Sequence, residues 1–257
     1  MISVNNLSKS YKNRCVFNNV TLEINASTAI FGPNGSGKST FLKLLGGIIY
    51  PDDGTITIQG YDVIKNREAA LRHVGIMVDP IEFPATLKVK DIIEFIRIMN
   101  NISNNKIIEF IELLNINKKL YNNKYKELSM GEKKKLRLLN ALSRGRNLLL
   151  LDEPFSNLDP NIQLNLLKLL LDIIKKKESI IVITSHNIKL GLLLTNNIYI
   201  INNCSIYSNY QKSILKIKKK DNTTLEVKVA DPLKYNKILE FLSNISSFND
   251  IDIEVVS

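Results

Sequence analysis

A glycine-rich loop set between an extended stretch and a helix constrains this chain more than any other feature. Residues 27–31 have the β-branched and apolar content of a strand, and they run straight into Gly32-Pro33-Asn34-Gly35-Ser36-Gly37-Lys38-Ser39-Thr40. Residues 38–49 then read as a helix. The loop fits G-x-x-x-x-G-K-[ST], and strand, loop and helix in that order are the context in which the pattern binds phosphate. Glycine at Gly35 and Gly37 lets the backbone take φ values that side chains forbid and approach a ligand closely. Successive N–H groups then point inward, and the helix N-terminus adds its partial positive charge. Lys38 is placed to reach β- and γ-phosphates, and the Ser39 hydroxyl to ligate Mg²⁺.

The remaining pattern is that of an α/β fold. Residues 2–7 and 20–24 read as strands, Pro51-Asp52-Asp53-Gly54 as a turn, and residues 55–59 and 73–78 as further strands. Helical periodicity without a strand fills residues 88–144, with Ile92, Ile93, Phe95 and Ile96 on one apolar face. Residues 148–151 are four consecutive leucines, as expected of a parallel strand buried on both faces. A helix over 164–174 and a strand over 179–184 follow. This alternation predicts a parallel sheet covered on both sides, interrupted by a helical insertion over about residues 84–144. The predicted boundaries are a main domain over 1–210 and a small α+β appendage over 211–257. In the appendage, residues 214–218, 223–229 and 251–256 alternate as strands, and a helix is expected over 231–241.

Composition narrows the function classes. With 44% apolar and 23% charged residues, the chain is an ordinary globular sequence, and no apolar run approaches the ~18 residues of a membrane span. The first residues lack the features of a signal peptide, which predicts a protein kept in the cytosol. Cys15 and Cys204 lie far apart with no C-x-x-C spacing, and only His73 and His186 accompany them, so neither a zinc site nor a disulfide framework is expected. The formal charge of +10 comes without interleaved aromatics or a nucleic-acid-binding motif, so no nucleic-acid partner is expected. One basic cluster stands out: residues 118–137 carry eight Lys/Arg against Glu127 and Glu132. It reads either as a solvated face or as a surface for anionic lipid or a partner.

A phosphate loop alone does not name a reaction. The four leucines end in Asp152-Glu153-Pro154, which puts two carboxylates at the end of a buried strand. Asp152 suits Mg²⁺, directly or through water, and Glu153 suits polarisation of an attacking water. Leu128-Ser129-Met130-Gly131-Glu132, Ser156-Asn157-Leu158-Asp159 and Thr184-Ser185-His186 follow the same order as three further motifs of one family. On these residues the chain resembles the ATP-binding subunits of ABC transporters over most of residues 1–210.

The resemblance implies a P-loop ATPase with an antiparallel β subdomain, a parallel-sheet core and a helical insertion. It assigns Tyr11 and Val16 to the adenine, His186 to the γ-phosphate, and Ser129, Gly131 and Asp159 to a site shared with a second ATPase subunit. Two such subunits, here a homodimer, would pair head to tail around ATP and Mg²⁺. They would work with transmembrane permease subunits on separate chains, at the inner face of the cell membrane. The appendage resembles tails of exporter-type members. There are two departures from the family pattern. Asp79 stands where a glutamine that senses Mg²⁺ and the γ-phosphate is usual, and Met130 and Glu132 replace a glycine and a glutamine. The alternatives are a soluble ABC ATPase of the iron–sulfur cluster assembly type, without a membrane partner, and a nucleotide-binding regulator with little hydrolysis.

Overall fold

The structure is a computed structural model of the 257-residue chain, and it describes residues 1–12, 14–144, 147–185, 188–195, 197–208, 213–219, 224–229 and 251–256. Strands β1 (Ile2–Tyr11) and β2 (Arg14–Ile24) form a long antiparallel pair, followed by β3 (Thr28–Phe31) and helix α1 (Lys38–Leu45). Next come β4 (Asp53–Ile58), β5 (Tyr61–Asp62), α2 (Arg67–Leu71) and β6 (Val74–Met77). The helical segment contains α3 (Val89–Met99), α4 (Asn104–Leu113) and α5 (Met130–Arg144). The α/β pattern resumes with β7 (Leu148–Asp152), α6 (Pro160–Lys175), β8 (Ile180–Thr184), α7 (Ile188–Leu194), β9 (Asn197–Asn202) and β10 (Ser205–Ser208). Strands β11 (Ser213–Lys219), β12 (Thr224–Val229) and β13 (Ile251–Val256) close the chain as a separate antiparallel sheet in the order β12-β11-β13.

The central sheet has the order β10-β9-β3-β8-β7-β6, parallel from β9 through β6, with β10 added antiparallel at one edge. Its strands feed two cores by strict alternation. Leu149, Leu151, Ile181, Ile183, Ala29 and Phe31 face one core, built with α3, α4, α5 and α6. Leu148, Leu150, Val182 and Ile30 face the other, which holds α1 and the inner residues of the β2-β1-β4-β5 sheet. Covering each face is what makes four leucines in a row stable in a strand. The close approach of α5 to the sheet depends on Gly75 of β6, where an added Cβ would fall 2.1 Å from the Ala141 carbonyl oxygen.

Several expectations are refined. Helix α1 stops at Leu45 because Gly46 and Gly47 follow, and Gly47 takes φ 57°. Strand β2 begins at Arg14 rather than at residue 20, because pairing with β1 imposes an extended conformation that the sequence alone does not signal. Strands β9 and β10 are absent from the sequence reading. The insertion is helical apart from one isolated bridge between Lys88 and Lys124. The helix expected over 231–241 lies outside the described residues. Both cysteines are free thiols, and among the described residues no helix is long and apolar enough to cross a membrane.

Replacing Gly75 with alanine is expected to destabilise the chain by about 1–3 kcal/mol through overpacking against a backbone carbonyl. The midpoint of denaturant unfolding reads the loss, and an unchanged midpoint contradicts the packing described.

Candidate nucleotide site

The phosphate loop sits at the carboxyl end of β3, between β8 and β9, where open α/β sheets bind ligands. Gly37 caps α1 at φ 112°. A Cβ there would fall 2.6 Å from Val16 Cγ1 and 3.1 Å from the Phe17 ring, so both conformation and space require glycine. Lys38 is 7% exposed, and its Nζ donates to the carbonyls of Gly32 at 2.8 Å and Pro33 at 3.0 Å. Burial lowers its pKa, and the carboxylates of Glu153 and Asp152 oppose that shift. The Ser36 hydroxyl is buried within the loop with no hydrogen-bond partner, which suits it to donate to a phosphate oxygen.

One cavity gathers most of the expected residues. Asn34, Gly35, Gly37, Lys38, Ser39 and Thr40 line it. Tyr11, Val16, Asp152 and Glu153 line it as well. The Tyr11 ring is 47% exposed with Lys9 Nζ 5.5 Å from its centroid, leaving a face open to a planar base. Thr184, paired with Asp152 across β7 and β8, ties the acidic end together. Its hydroxyl donates to Asp152 Oδ1 at 2.6 Å and accepts from the Glu153 N–H at 3.0 Å. Glu153 itself takes φ 48°, in the left-handed region. Ser39 and Asp152 facing one cavity form a hard-oxygen set that fits a divalent cation.

Other expected residues lie elsewhere. Ser129, Gly131 and Asp159 are not on this cavity. Ser129 and Glu132 form a capping box at the start of α5: the Ser129 N–H and hydroxyl donate to Glu132 Oε2 at 2.8 Å each, and the Glu132 N–H donates to Ser129 Oγ at 3.3 Å. Gly131 packs on the loop after β7, where a Cβ would lie 2.9 Å from the Asn157 carbonyl. Asp159 caps α6 without a side-chain bond. His186 lies outside the described residues.

Asp79 is also off this cavity: its carboxylate accepts from the Arg137 guanidinium in a salt bridge. The solvated-face reading of the basic cluster fails for two members. Arg137 is consumed by Asp79, and Lys134 is 6% exposed, its Nζ donating to the carbonyls of Glu153 and Ser156 and to the Ser156 hydroxyl. Burial, aided by Arg137, pushes the Lys134 pKa down to about 8, against the opposing effects of Glu153, Asp79 and Asp152.

Four contributors escape sequence reasoning: Arg14, Thr184, Lys134 and Arg137. Arg14 lines the cavity and donates to the Gly35 carbonyl at 2.8 Å. None of the four sits in a motif that assigns it a role. Only the three-residue spacing of Gly131, Lys134 and Arg137 on one helix, which puts them on one face, was legible beforehand.

Comparison with known proteins identifies a family. The description "ABC transporter" matches residues 17–156. The energy-coupling factor transporter ATP-binding protein EcfA1 of Fusobacterium nucleatum is 32% identical, with 99% of this chain and 93% of that protein covered. The lipopolysaccharide export system ATP-binding protein LptB of Haemophilus influenzae is 29% identical over 78% of this chain and 86% of its own length. The sulfate/thiosulfate import ATP-binding protein CysA of Mesostigma viride is 32% identical over 78% of this chain, which spans 59% of that longer protein. Among solved structures, the dimeric post-hydrolysis state of the ATP-binding cassette MJ0796 bound to ADP and Pi has the same fold. Its TM-score is 0.70 at 21% identity, with 80% of this chain and 96% of that one covered. The family match takes in more than half of the 257 residues, and a relative above 30% identity spans nearly all of them: this chain belongs to the ABC transporter family of ATP-binding proteins.

Proposed function

We propose that the chain is the ATP-hydrolysing subunit of a membrane transporter and works as a head-to-tail homodimer with membrane-spanning subunits on separate chains. The observation that carries this reading is a cavity lined by Asn34, Gly35, Gly37, Lys38, Ser39 and Thr40 of the phosphate loop with Asp152 and Glu153, but by none of Ser129, Gly131 and Asp159. These three expected binding residues lie off the chain's own nucleotide cavity and are left to a partner's nucleotide. The main domain of residues 1–210 carries all of these groups.

In the working site, Tyr11 and Val16 hold the adenine. The loop N–H groups from Gly32 to Thr40, together with Lys38, hold the phosphates. The Ser39 hydroxyl and Asp152 would hold Mg²⁺, which supplies neutralisation of charge at the β- and γ-phosphate oxygens. Glu153 accepts a hydrogen bond from the attacking water and orients it in line with the γ-phosphorus. The bond from that phosphorus to the β–γ bridging oxygen breaks, and ADP and phosphate leave. His186, next to the Thr184-Ser185 strand end, completes the γ-phosphate contacts. From the partner, Ser129 and the Gly131 N–H meet the γ-phosphate at the positive end of α5. ATP thus holds two subunits together, and hydrolysis releases them.

The membrane-spanning subunits have a suitable surface. A groove between α2, β6, α3 and α5 is lined by Leu71, Ile76, Ile81 and Met99 with Arg72 and Arg144 at hand, and Phe95 and Ile98 are exposed on the adjacent α3. An apolar groove with a basic rim next to exposed large side chains fits a helix presented by another protein. Docking there places the chain at the inner face of the membrane. Relatives carry both import and export names.

Glu153→Gln is expected to lower ATP turnover by about a hundredfold or more while retaining ATP binding. It should accumulate an ATP-dependent dimer in size-exclusion chromatography with light scattering. Wild-type turnover without any ATP-dependent dimer in the variant contradicts the head-to-tail reading. Glu132→Gln keeps the capping box and removes a negative charge that faces the partner's phosphates. Turnover should be equal or higher, while the melting transition reports a loss of about 0.3–1 kcal/mol of helix-dipole stabilisation. A large fall in turnover excludes this account of Glu132.

A further inference from the structure

The loop that follows β7 is organised around a lysine from another element. Glu153 and Asn157 both take left-handed conformations, at φ 48° and 56°, which cost a side-chain-bearing residue about 1 kcal/mol or more unless the surroundings enforce them. The Glu153 and Ser156 carbonyls turn inward, and Lys134 Nζ donates to both, the second at 2.8 Å. The Ser156 hydroxyl accepts from Lys134 and donates to the Glu153 carbonyl at 3.0 Å, which closes a compact ring of bonds. Burying an ammonium to 6% exposure is costly, and here carbonyl acceptors offset that cost. One turn earlier on the same face of α5, Gly131 rests against the Asn157 carbonyl. One turn later, Arg137 pairs with Asp79 at the end of β6. A single helix face therefore grips the loop carrying Glu153 at two points and the end of a neighbouring strand at a third.

We propose that Lys134 is a positioning residue that links the two ATP sites of a dimer through one subunit, holding Glu153 against the chain's own nucleotide from the helix whose first turn meets the partner's. The inference rests on the head-to-tail reading above. Closure on the partner's phosphate bears on Ser129 and Gly131 at the start of α5. A displacement of that helix is passed through Lys134 to the Glu153 and Ser156 carbonyls, and so to the backbone that aims the Glu153 carboxylate. Without the ammonium, the strained Glu153 backbone is released. The phosphate loop, Thr184 and the partner-facing residues remain as they were.

The test uses the full chain with Lys134→Met, which keeps an apolar stem without donors, and Lys134→Gln, which keeps a donor without the charge. The expected result for Lys134→Met is a fall in kcat of about tenfold or more, since small displacements of a catalytic group cost this much. The Kd for a fluorescent ATP analogue should stay within about twofold of wild type, as should ATP-driven dimerisation in a Glu153→Gln background. Lys134→Gln should fall between wild type and Lys134→Met, and it supplies the reading if the methionine variant does not fold. A folded variant with wild-type kcat overturns the inference, as does a kcat loss matched by an equal loss of ATP binding or of dimerisation. Wild-type protein without ATP turnover overturns the proposed function and this inference with it. Wild-type turnover matched by the Lys134 variants overturns this inference alone.

Discussion

Burial of the central strands on both faces is the constraint from which the rest of the molecule follows. Leu148–Leu151 and Ile181–Ile183 place alternate side chains in two separate cores, so neither face of the sheet can be left uncovered. The α1 helix and the antiparallel β2-β1-β4-β5 sheet cover one side, and α3 to α6 cover the other. Parallel strands with both faces covered expose only their ends. The phosphate loop after β3 and the Asp152–Glu153 pair after β7 therefore emerge at the same edge, with Thr184 of β8 between them.

At that edge two loops solve the same problem in the same way. The loop after β3 turns the Gly32 and Pro33 carbonyls onto the buried Lys38 ammonium, and the loop after β7 turns the Glu153 and Ser156 carbonyls onto the buried Lys134 ammonium. In each case a cation removed from water is satisfied by backbone carbonyl oxygens turned toward it. Burial lowers both pKa values, and the same two carboxylates, Glu153 and Asp152, oppose the shift in both. The two lysines differ in where their stems originate. Lys38 belongs to the helix that directly follows its loop, whereas Lys134 comes from α5, across the domain.

Legibility in the sequence tracked the range of the interaction. The strand, glycine loop and helix were readable because Gly37 and Lys38 act on residues within a few positions, as were the carboxylates that end a run of leucines. The appendage strands were readable from alternation alone. Strand β9 was missed although its Ile198–Ile201 run is buried, and the first half of β2 was missed because pairing with β1, rather than its own composition, holds it extended. The charge cluster misled for a similar reason. In sequence Lys134 is indistinguishable from Lys133 and Lys135, yet one lies buried on the loop after β7, one lies over the Tyr125 ring, and one reaches the Asn115 carbonyl.

The sequence by itself determined that this chain makes a doubly covered parallel sheet with a phosphate loop at its edge and two carboxylates at the end of a buried strand. Those properties depend on periodicity and on residues adjacent along the chain. Only the tertiary structure decided which charges are used and where. It paired Asp79 with Arg137, kept Ser129, Gly131 and Asp159 off the cavity lining, and set Lys134 on the Glu153 carbonyl. The reason is physical: a charge acquires its role from the acceptors and the dielectric that packing places around it, and those come from residues 19 to 58 positions away.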